Sequence, residues 1–236
     1  MNRALATILA TALLCGCNRN PELKAVKAAA EAMGGKDRVL AVRTLIIEGE
    51  GENPNLGQNL TPDAPLTVWK ITNFKQTIDL TKGLDKGRMR VEQVRTAQFP
   101  FALDPVSRQN MLLDGNVAWN VNEDGNPSSR LTDKTALDRR LELLHQPVTI
   151  LRVALDPTSK LSQFRTSAKL QLVDIATAGG DMLTLALDGT THLPASVSSM
   201  TDQPNLGDVA IETSFADYGD VNGLKLPKHL TTKIDK

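Results

Sequence analysis

Apolar and polar residues alternate with a period of two along most of the chain, which is typical of half-buried β-strands. The clearest runs are 66–74 (LTVWKITNF), 75–80 (KQTIDL) and 87–96 (GRMRVEQVRT). Asp114-Gly115 and Gly179-Gly180 each predict a hairpin turn between two such runs. A third hairpin is predicted within 195–218, and 224–234 predicts the last strand.

The strand at 87–96 carries the strongest alternation of apolar and basic residues. The pattern places Met89 and Val91 on the buried face and extends that face to Val94. It turns the arginines of this strand toward solvent.

Two segments follow a helical period instead. Residues 20–35 begin with Asn-Pro-Glu, a capping residue followed by a proline at the first helical position, and end with Gly-Gly. Residues 36–42 predict one further helical turn. A second segment, 132–155, contains Pro147, which divides it into two consecutive helices. This order of elements predicts an α+β fold, mostly antiparallel β, with the helices packed on one face.

The composition narrows the function classes only slightly. The chain has 236 residues, 27 basic and 27 acidic side chains, and 41% hydrophobic residues. Balanced charge gives no reason to expect nucleic acid as a partner. Aromatic residues make up only 3% of the chain, so the core is expected to be aliphatic.

Both cysteines of the chain lie at the end of an uncharged run that follows Arg3. This run has the layout of a secretory signal and is shorter than the roughly 20 residues that span a bilayer. Leu14-Cys15-Gly16-Cys17 resembles the bacterial lipobox, in which the last cysteine is joined to a diacylglyceryl group after cleavage before it. The alternative is a plain signal peptide, or a buried helix, with two incidental cysteines.

The lipobox resemblance implies a signal peptide at 1–16, a single mature domain at 17–236, and lipid attachment at Cys17. The membrane would then be a partner through this N-terminal lipid, because multiple acyl chains hold a protein on a bilayer. We therefore expect a location in the cell envelope, lipid-anchored and facing the periplasm. Asn18 favours the outer membrane.

The sequence contains no arrangement typical of catalysis. His145, His192 and His229 are far apart and lack metal-ligand spacing. No phosphate-binding loop, dinucleotide-binding motif or G-x-S-x-G motif is present. Arg139 and Arg140 lie among acids at helical spacing, which predicts surface ion pairs. We expect no catalytic residue, no metal and no cofactor.

Carboxylate side chains are the remaining candidates for catalytic residues. Glu48, Glu50 and Glu52 alternate along one predicted strand and could line one face, with Asp79 as a further candidate. A solvated strand face explains the three glutamates more simply. Carboxylates that converge in a cleft with raised pKa values would favour the enzyme hypothesis.

Five large apolar side chains are the candidates for binding a ligand: Leu56, Trp69, Phe99, Phe101 and Leu206. The tetrapeptide Pro-Asn-Leu-Gly occurs twice, around Leu56 and Leu206, and both loops could lie at one rim of a cavity. The two phenylalanines flank a proline, which predicts a loop or a sheet edge. The alternatives are shared turn chemistry for the loops and core packing for the aromatic residues.

Two stretches resemble the LolA-like family of periplasmic lipoprotein carriers. They are AAEAMGGKDRVLAVRTLIIEGEG near the start and ETSFADYGDVNGLKLPKHLTTKID near the end. The resemblance implies an incomplete (half) β-barrel, with an N-terminal helix and a helical pair packed on its concave face. It implies a non-enzymatic protein that binds an acyl chain, a lipoprotein or another apolar small molecule in the barrel.

A second resemblance concerns GENPNLGQNLTPDAPL, DRRLELLHQPV and VSSMTDQPNLGDVAIETSFADY. These stretches are similar to the N-terminal region of secreted proteins that continue into a metallo-β-lactamase-fold hydrolase. The resemblance implies an accessory or targeting domain whose hydrolase partner is missing from this chain or encoded next to it. The zinc-binding residues of that family have no counterpart here, so hydrolase activity is not carried over.

Overall fold

A computed structural model describes residues 20–55, 59–61, 63–84, 86–203 and 206–235. The predicted signal peptide, Cys17 and Leu56 lie outside these ranges.

The described residues form helices and strands in the order that the sequence predicts. Their bounds are α1 (Pro21–Ala32), α2 (Lys36–Ala41), β1 (Thr44–Asn55), β2 (Thr67–Asp79), β3 (Arg88–Ala97), β4 (Val106–Asp114), β5 (Val117–Asn120), α3 (Asp133–Leu144), α4 (Pro147–Leu155), β6 (Lys160–Ser167), β7 (Leu170–Ala176), β8 (Met182–Asp188), β9 (Pro194–Gln203), β10 (Gly207–Val221) and β11 (Leu224–Ile234). None of these helices is long and apolar enough to cross a membrane.

The strands form two antiparallel sheets in which each strand pairs with its neighbours in sequence. Sheet 1 has the order β1-β2-β3-β4-β5, and sheet 2 has the order β11-β10-β9-β8-β7-β6. The predicted α+β class with mostly antiparallel strands is confirmed. Among the described residues, β5 and β6 do not pair with each other and belong to different sheets. Helices α3 and α4 lie between these two strands in the chain.

One aliphatic core joins both sheets to the helices. It includes Ile78 and Leu113 from sheet 1, Leu185 and Val197 from sheet 2, and Ile150 from α4, each at most 2% exposed. Full burial of such a side chain contributes about 1.5–3 kcal/mol. The core therefore holds the two sheets and the helices together. Its aliphatic composition is the one that the low aromatic content predicts.

The first helix ends against the last hairpin of the chain. Gly34 has a φ of 120°, and a Cβ at this position would lie 2.1 Å from the carbonyl oxygen of Gly223 in the β10–β11 turn. Lys225 N donates a 2.8 Å hydrogen bond to the Met33 carbonyl beside it. Only glycine permits this approach, so the Gly-Gly end of α1 fixes the position of the C-terminal hairpin.

Helix α3 is attached to both sheets by its two adjacent arginines. Arg139 is 8% exposed and donates to the carbonyls of Leu112 and Trp119 at 2.8 and 2.7 Å. Arg140 forms a two-pronged ion pair with Asp181 in the β7–β8 turn of sheet 2, at 2.6 and 3.1 Å. The prediction of surface pairing within the helix is wrong, because the partners of both arginines come from strands and turns of the two sheets.

Candidate ligand-binding surface

The candidate surface lies on the face of sheet 1 that also carries the core residues Ile78, Met89 and Val91, here called the inner face. Side chains two apart in a strand share a face, so Gln93 and Arg95 continue the inner face along β3. On β2 the pairing with β3 shifts register between Thr72 and Lys75, and the alternation of inner and outer side chains resumes on the other side of this shift.

Burial falls along this face on β3 and β4 toward the β3–β4 connection, whereas Ile71 and Thr67 of β2 stay buried. On β3, Met89 and Val91 are 2% and 1% exposed, whereas Gln93 and Arg95 are only half-buried. On β4, Leu113 is buried and Gln109 is half-buried. We call the less buried part of the inner face the open end of sheet 1.

Three of the five candidate apolar residues meet at the open end. The ring centroids of Trp69 and Phe99 are 5.3 Å apart in an edge-to-face arrangement, and those of Phe99 and Phe101 are 5.0 Å apart. Such aromatic pairs contribute about 0.5–1.5 kcal/mol each beyond their buried area. We call these three residues the aromatic cluster. Phe101 remains 42% exposed, so the cluster presents apolar surface to solvent.

Backbone hydrogen bonds hold the cluster in place. Gln98 N donates to the Val68 carbonyl at 2.9 Å, and Ala97 N donates to the Pro105 carbonyl at 2.8 Å. The β3–β4 connection is therefore pinned to β2 directly beside Trp69. The predicted loop around Pro100 is confirmed.

The connections at this end expose further apolar side chains. Leu60 and Leu66 of the β1–β2 connection are 76% and 41% exposed, and Leu103 of the β3–β4 connection is 99% exposed. Exposed apolar residues grouped in this way mark binding surfaces more often than scattered ones.

A single arginine lies beside the aromatic cluster. The Arg95 guanidinium carbon is 4.9 Å from the ring centroid of Trp69, within the range of a cation–π interaction. Its Nε is buried and has no hydrogen-bond partner among the described residues. Burial lowers the pKa of the Arg95 guanidinium. The prediction that the arginines of β3 face solvent is wrong for Arg95, because strict alternation turns Val94 outward and Arg95 inward.

A second polar group lies deeper on the inner face, where the C-terminal end of α3 reaches β2. Gln76 Nε2 donates to Glu142 Oε1 at 2.9 Å, and Gln146 Nε2 donates to Gln76 Oε1 at 3.1 Å. Glu142 as a whole is exposed to solvent, and its Oε1 is the end that contacts Gln76. Loss of solvation raises the pKa of Glu142 to about 7, and the charge of Arg139 opposes this rise.

His145 ends α3 as a neutral buried side chain. Its Nδ1 lies 3.0 Å from Thr213 Oγ1 and its Nε2 lies 2.9 Å from Ser199 Oγ, so both ring nitrogens have partners in sheet 2. Burial lowers the pKa of His145 to about 4. These two contacts give His145 a structural role, because they join the end of α3 to sheet 2.

Two of the candidate carboxylates share an open groove of about 760 Å³, whose lining includes Glu48, Glu50, Phe74 and Lys75. Glu48 is not free in this groove, because it pairs with Lys75 at 2.8 Å. Two hydrogen bonds from Thr81 lower the pKa of Asp79. Within the described ranges, no three His, Cys, Asp or Glu side chains are placed to hold a metal ion.

The other two candidate residues are Leu206 and Leu56. No described contact joins Leu206 to the aromatic cluster. Leu206 lies in the β9–β10 turn of sheet 2 and is 46% exposed. Leu56 is outside the described residues, so a shared rim of the two Pro-Asn-Leu-Gly loops stays a prediction. The sequence patterns did not predict a role for Arg95 or Glu142. Arg95 is an even number of positions from Met89 and Val91, so strict alternation would have placed it on their face. No sequence pattern indicated the contact of Glu142.

Comparison with known proteins gives a likeness to solved structures and to no family model or curated protein. The chain is similar to the crystal structure of a LolA superfamily protein from Nitrosomonas europaea, with 9% sequence identity and a TM-score of 0.44. The match covers 90% of this chain and 85% of that chain. No functional conclusion rests on this likeness.

Proposed function

We propose that this protein is a non-enzymatic, lipid-anchored envelope protein whose folded body binds an apolar ligand, such as an acyl chain, at the open end of sheet 1. In this proposal the two sheets form an incomplete barrel around the helices, and the aromatic cluster lies where that barrel opens. The bound chain lies along the inner face beside Trp69.

The aromatic cluster is the observation that carries the proposal. Phe101 is 42% exposed although its ring packs against Phe99, and Leu103, two residues further on, is almost fully exposed. Covering apolar surface contributes about 25 cal/mol per Å². A ligand that covers this surface would therefore gain binding free energy, while a purely structural cluster would be expected to cover itself.

Intrinsic fluorescence tests the proposal because the chain has only two tryptophans. In a Trp119→Phe background, Trp69 is the sole tryptophan and reports on the cluster directly. Titration with dodecanol, a neutral chain, should change the Trp69 emission in a saturable way. Phe101→Ala should weaken this binding severalfold, whereas Met182→Ala, which removes an exposed side chain from sheet 2, should leave it unchanged.

A negative result has a clear form. If dodecanol produces no saturable change and native mass spectrometry finds no co-purified lipid, the proposed binding function is wrong. Equal effects of Phe101→Ala and Met182→Ala would place the binding elsewhere on the protein.

The membrane anchor rests on the lipobox resemblance at Cys17, which lies outside the described residues. Expression with radiolabelled palmitate should label the wild-type protein, and Cys17→Ala should abolish both the label and the membrane association. Membrane association that survives Cys17→Ala would contradict the anchor. The association with a zinc hydrolase stays a prediction from the second resemblance.

A further inference from the structure

We propose that the ligand is an anionic amphiphile, whose carboxylate or phosphate head is bound by Arg95 while its apolar chain lies on the aromatic cluster. This inference rests on the proposed function and adds the chemical class of the ligand.

Arg95 differs from the other arginines of its strand in its surroundings. Arg88 and Arg90 face outward and pair with Asp114 and Glu92 at 3.1 and 2.9 Å. Arg95 faces inward, opposite Ile71 on β2, and forms no ion pair within the described residues. A half-buried guanidinium without a counter-ion is unfavourable, because charge removed from water needs a partner.

The polarity of the inner face around Arg95 also favours an anion. By strand alternation and register, Arg95 is the one charged side chain at the inner positions of β1–β5. No carboxylate from these strands therefore competes for it or repels an incoming anion.

Further hydrogen-bond donors lie close to the guanidinium. Ser107 is directly opposite Arg95 on β4, and Gln109 shares its face. Gln109 accepts a 2.7 Å hydrogen bond from Gln93 through its Oε1, which leaves its amide NH₂ group as a donor. An oxyanion beside Arg95 would thus have a charged donor and two neutral donors within the same part of the face.

Trp69 orients Arg95 and connects the polar part of the surface to the apolar part. The guanidinium stacks on one side of the Trp69 ring system, and Phe99 packs edge-to-face against the same ring. Stacking fixes the planar fork of donors, which suits two-pronged binding of a carboxylate or phosphate. A charged head and an apolar chain in one molecule match this arrangement better than a free inorganic anion, which would leave the aromatic cluster uncovered.

The test compares three chains of equal length that differ only in the head: dodecanoate, dodecanol and dodecylammonium. Each is titrated below its micelle-forming concentration into the Trp119→Phe protein. Binding is followed by Trp69 emission and independently by calorimetry, since Arg95 itself influences Trp69. Dodecanoate should bind about tenfold more tightly than dodecanol, as expected for a charge-assisted hydrogen bond, and dodecylammonium should bind more weakly than dodecanol.

Substitutions assign this preference to Arg95. Arg95→Gln should bring dodecanoate to the affinity of dodecanol. Arg90→Gln, on the outer face of the same strand, should retain the tenfold preference. Arg95→Lys keeps the charge without the planar fork and should retain only part of the preference; it also serves if Arg95→Gln does not fold.

The outcomes separate this inference from the proposed function. Equal binding of dodecanoate and dodecanol, or a preference that survives Arg95→Gln, overturns the anionic head and leaves apolar binding intact. Absence of binding by all three chains overturns the proposed function itself.

Discussion

Glu142 on α3 accepts a 2.9 Å hydrogen bond from Gln76 on β2, although the two residues are 66 positions apart in the chain. This contact joins an ionisable carboxyl of α3 to the inner face of sheet 1. Its raised pKa, about 7, makes the protonation of Glu142 depend on pH in the neutral range.

The first prediction concerns the pH dependence of stability at Glu142. The folded-state pKa is above the unfolded value of 4.5, so the folded state binds more protons between pH 4.5 and 7. The contribution of Glu142 to stability is therefore greatest below pH 4.5 and is lost as pH rises through 7. Glu142→Gln should remove this loss, and urea unfolding at pH 5 and 8 should show a smaller difference for the variant than for the wild type.

Glu31→Gln, at an exposed position on α1, is the comparison variant for the same chemical change. A pH dependence in Glu142→Gln identical to that of the wild type would contradict the raised pKa.

The second prediction has the opposite sign and concerns His145. Its folded-state pKa of about 4 is below the unfolded value of 6.5, so the unfolded state binds more protons between these values. The stability contribution is full above pH 6.5 and is lost as pH falls toward 4, by about 3 kcal/mol for a shift of this size. His145→Gln should reduce the slope of unfolding free energy against pH in this window.

His229→Gln provides the comparison for His145, because His229 is exposed and its partner Asp217 lies on the surface. If His145→Gln and the wild type lose stability equally between pH 6.5 and 4, His145 is not the buried neutral group that the geometry indicates.

The third prediction concerns the attachment of α3 to sheet 1. Arg139→Met should lower the unfolding free energy by about 2–4 kcal/mol, because it leaves the carbonyls of Leu112 and Trp119 without their side-chain donor. Arg130→Met removes an exposed arginine paired with Asp133 and should change stability by less than about 0.5 kcal/mol. Chemical denaturation of both variants measures the contrast; similar losses would contradict the buried role of Arg139.

The fourth prediction concerns the contact between α1 and the last hairpin. Gly34→Ala should destabilise by more than about 3 kcal/mol, since the added methyl group meets the Gly223 carbonyl and the backbone has positive φ. Gly125→Ala has positive φ but open space around the Cβ, so it should cost only about 1 kcal/mol. Thermal unfolding of the two variants separates the close contact from the backbone strain.

Local patterns predicted the elements because their causes are local. Asn20 caps α1 by accepting a 2.8 Å hydrogen bond from Leu23 N, and Pro147 begins α4 at the predicted division of the helical segment. Hairpin turns at Gly115 and Gly180 carry the positive φ that their glycines allow. Each of these outcomes depends on residues a few positions apart, which the sequence displays directly.

The sequence by itself determined the α+β class, the strand and helix order, the aliphatic core and the aromatic residues that were candidates for binding. Only the tertiary structure decided that Trp69, Phe99 and Phe101 meet, that Arg95 lies on Trp69 with no ion-pair partner among the described residues, and that Glu142 reaches Gln76. The physical reason is that backbone conformation and amphipathic period arise from near neighbours in the chain. The solvation and pairing of a charged side chain depend instead on which distant strands and helices pack around it, and no local pattern contains that information.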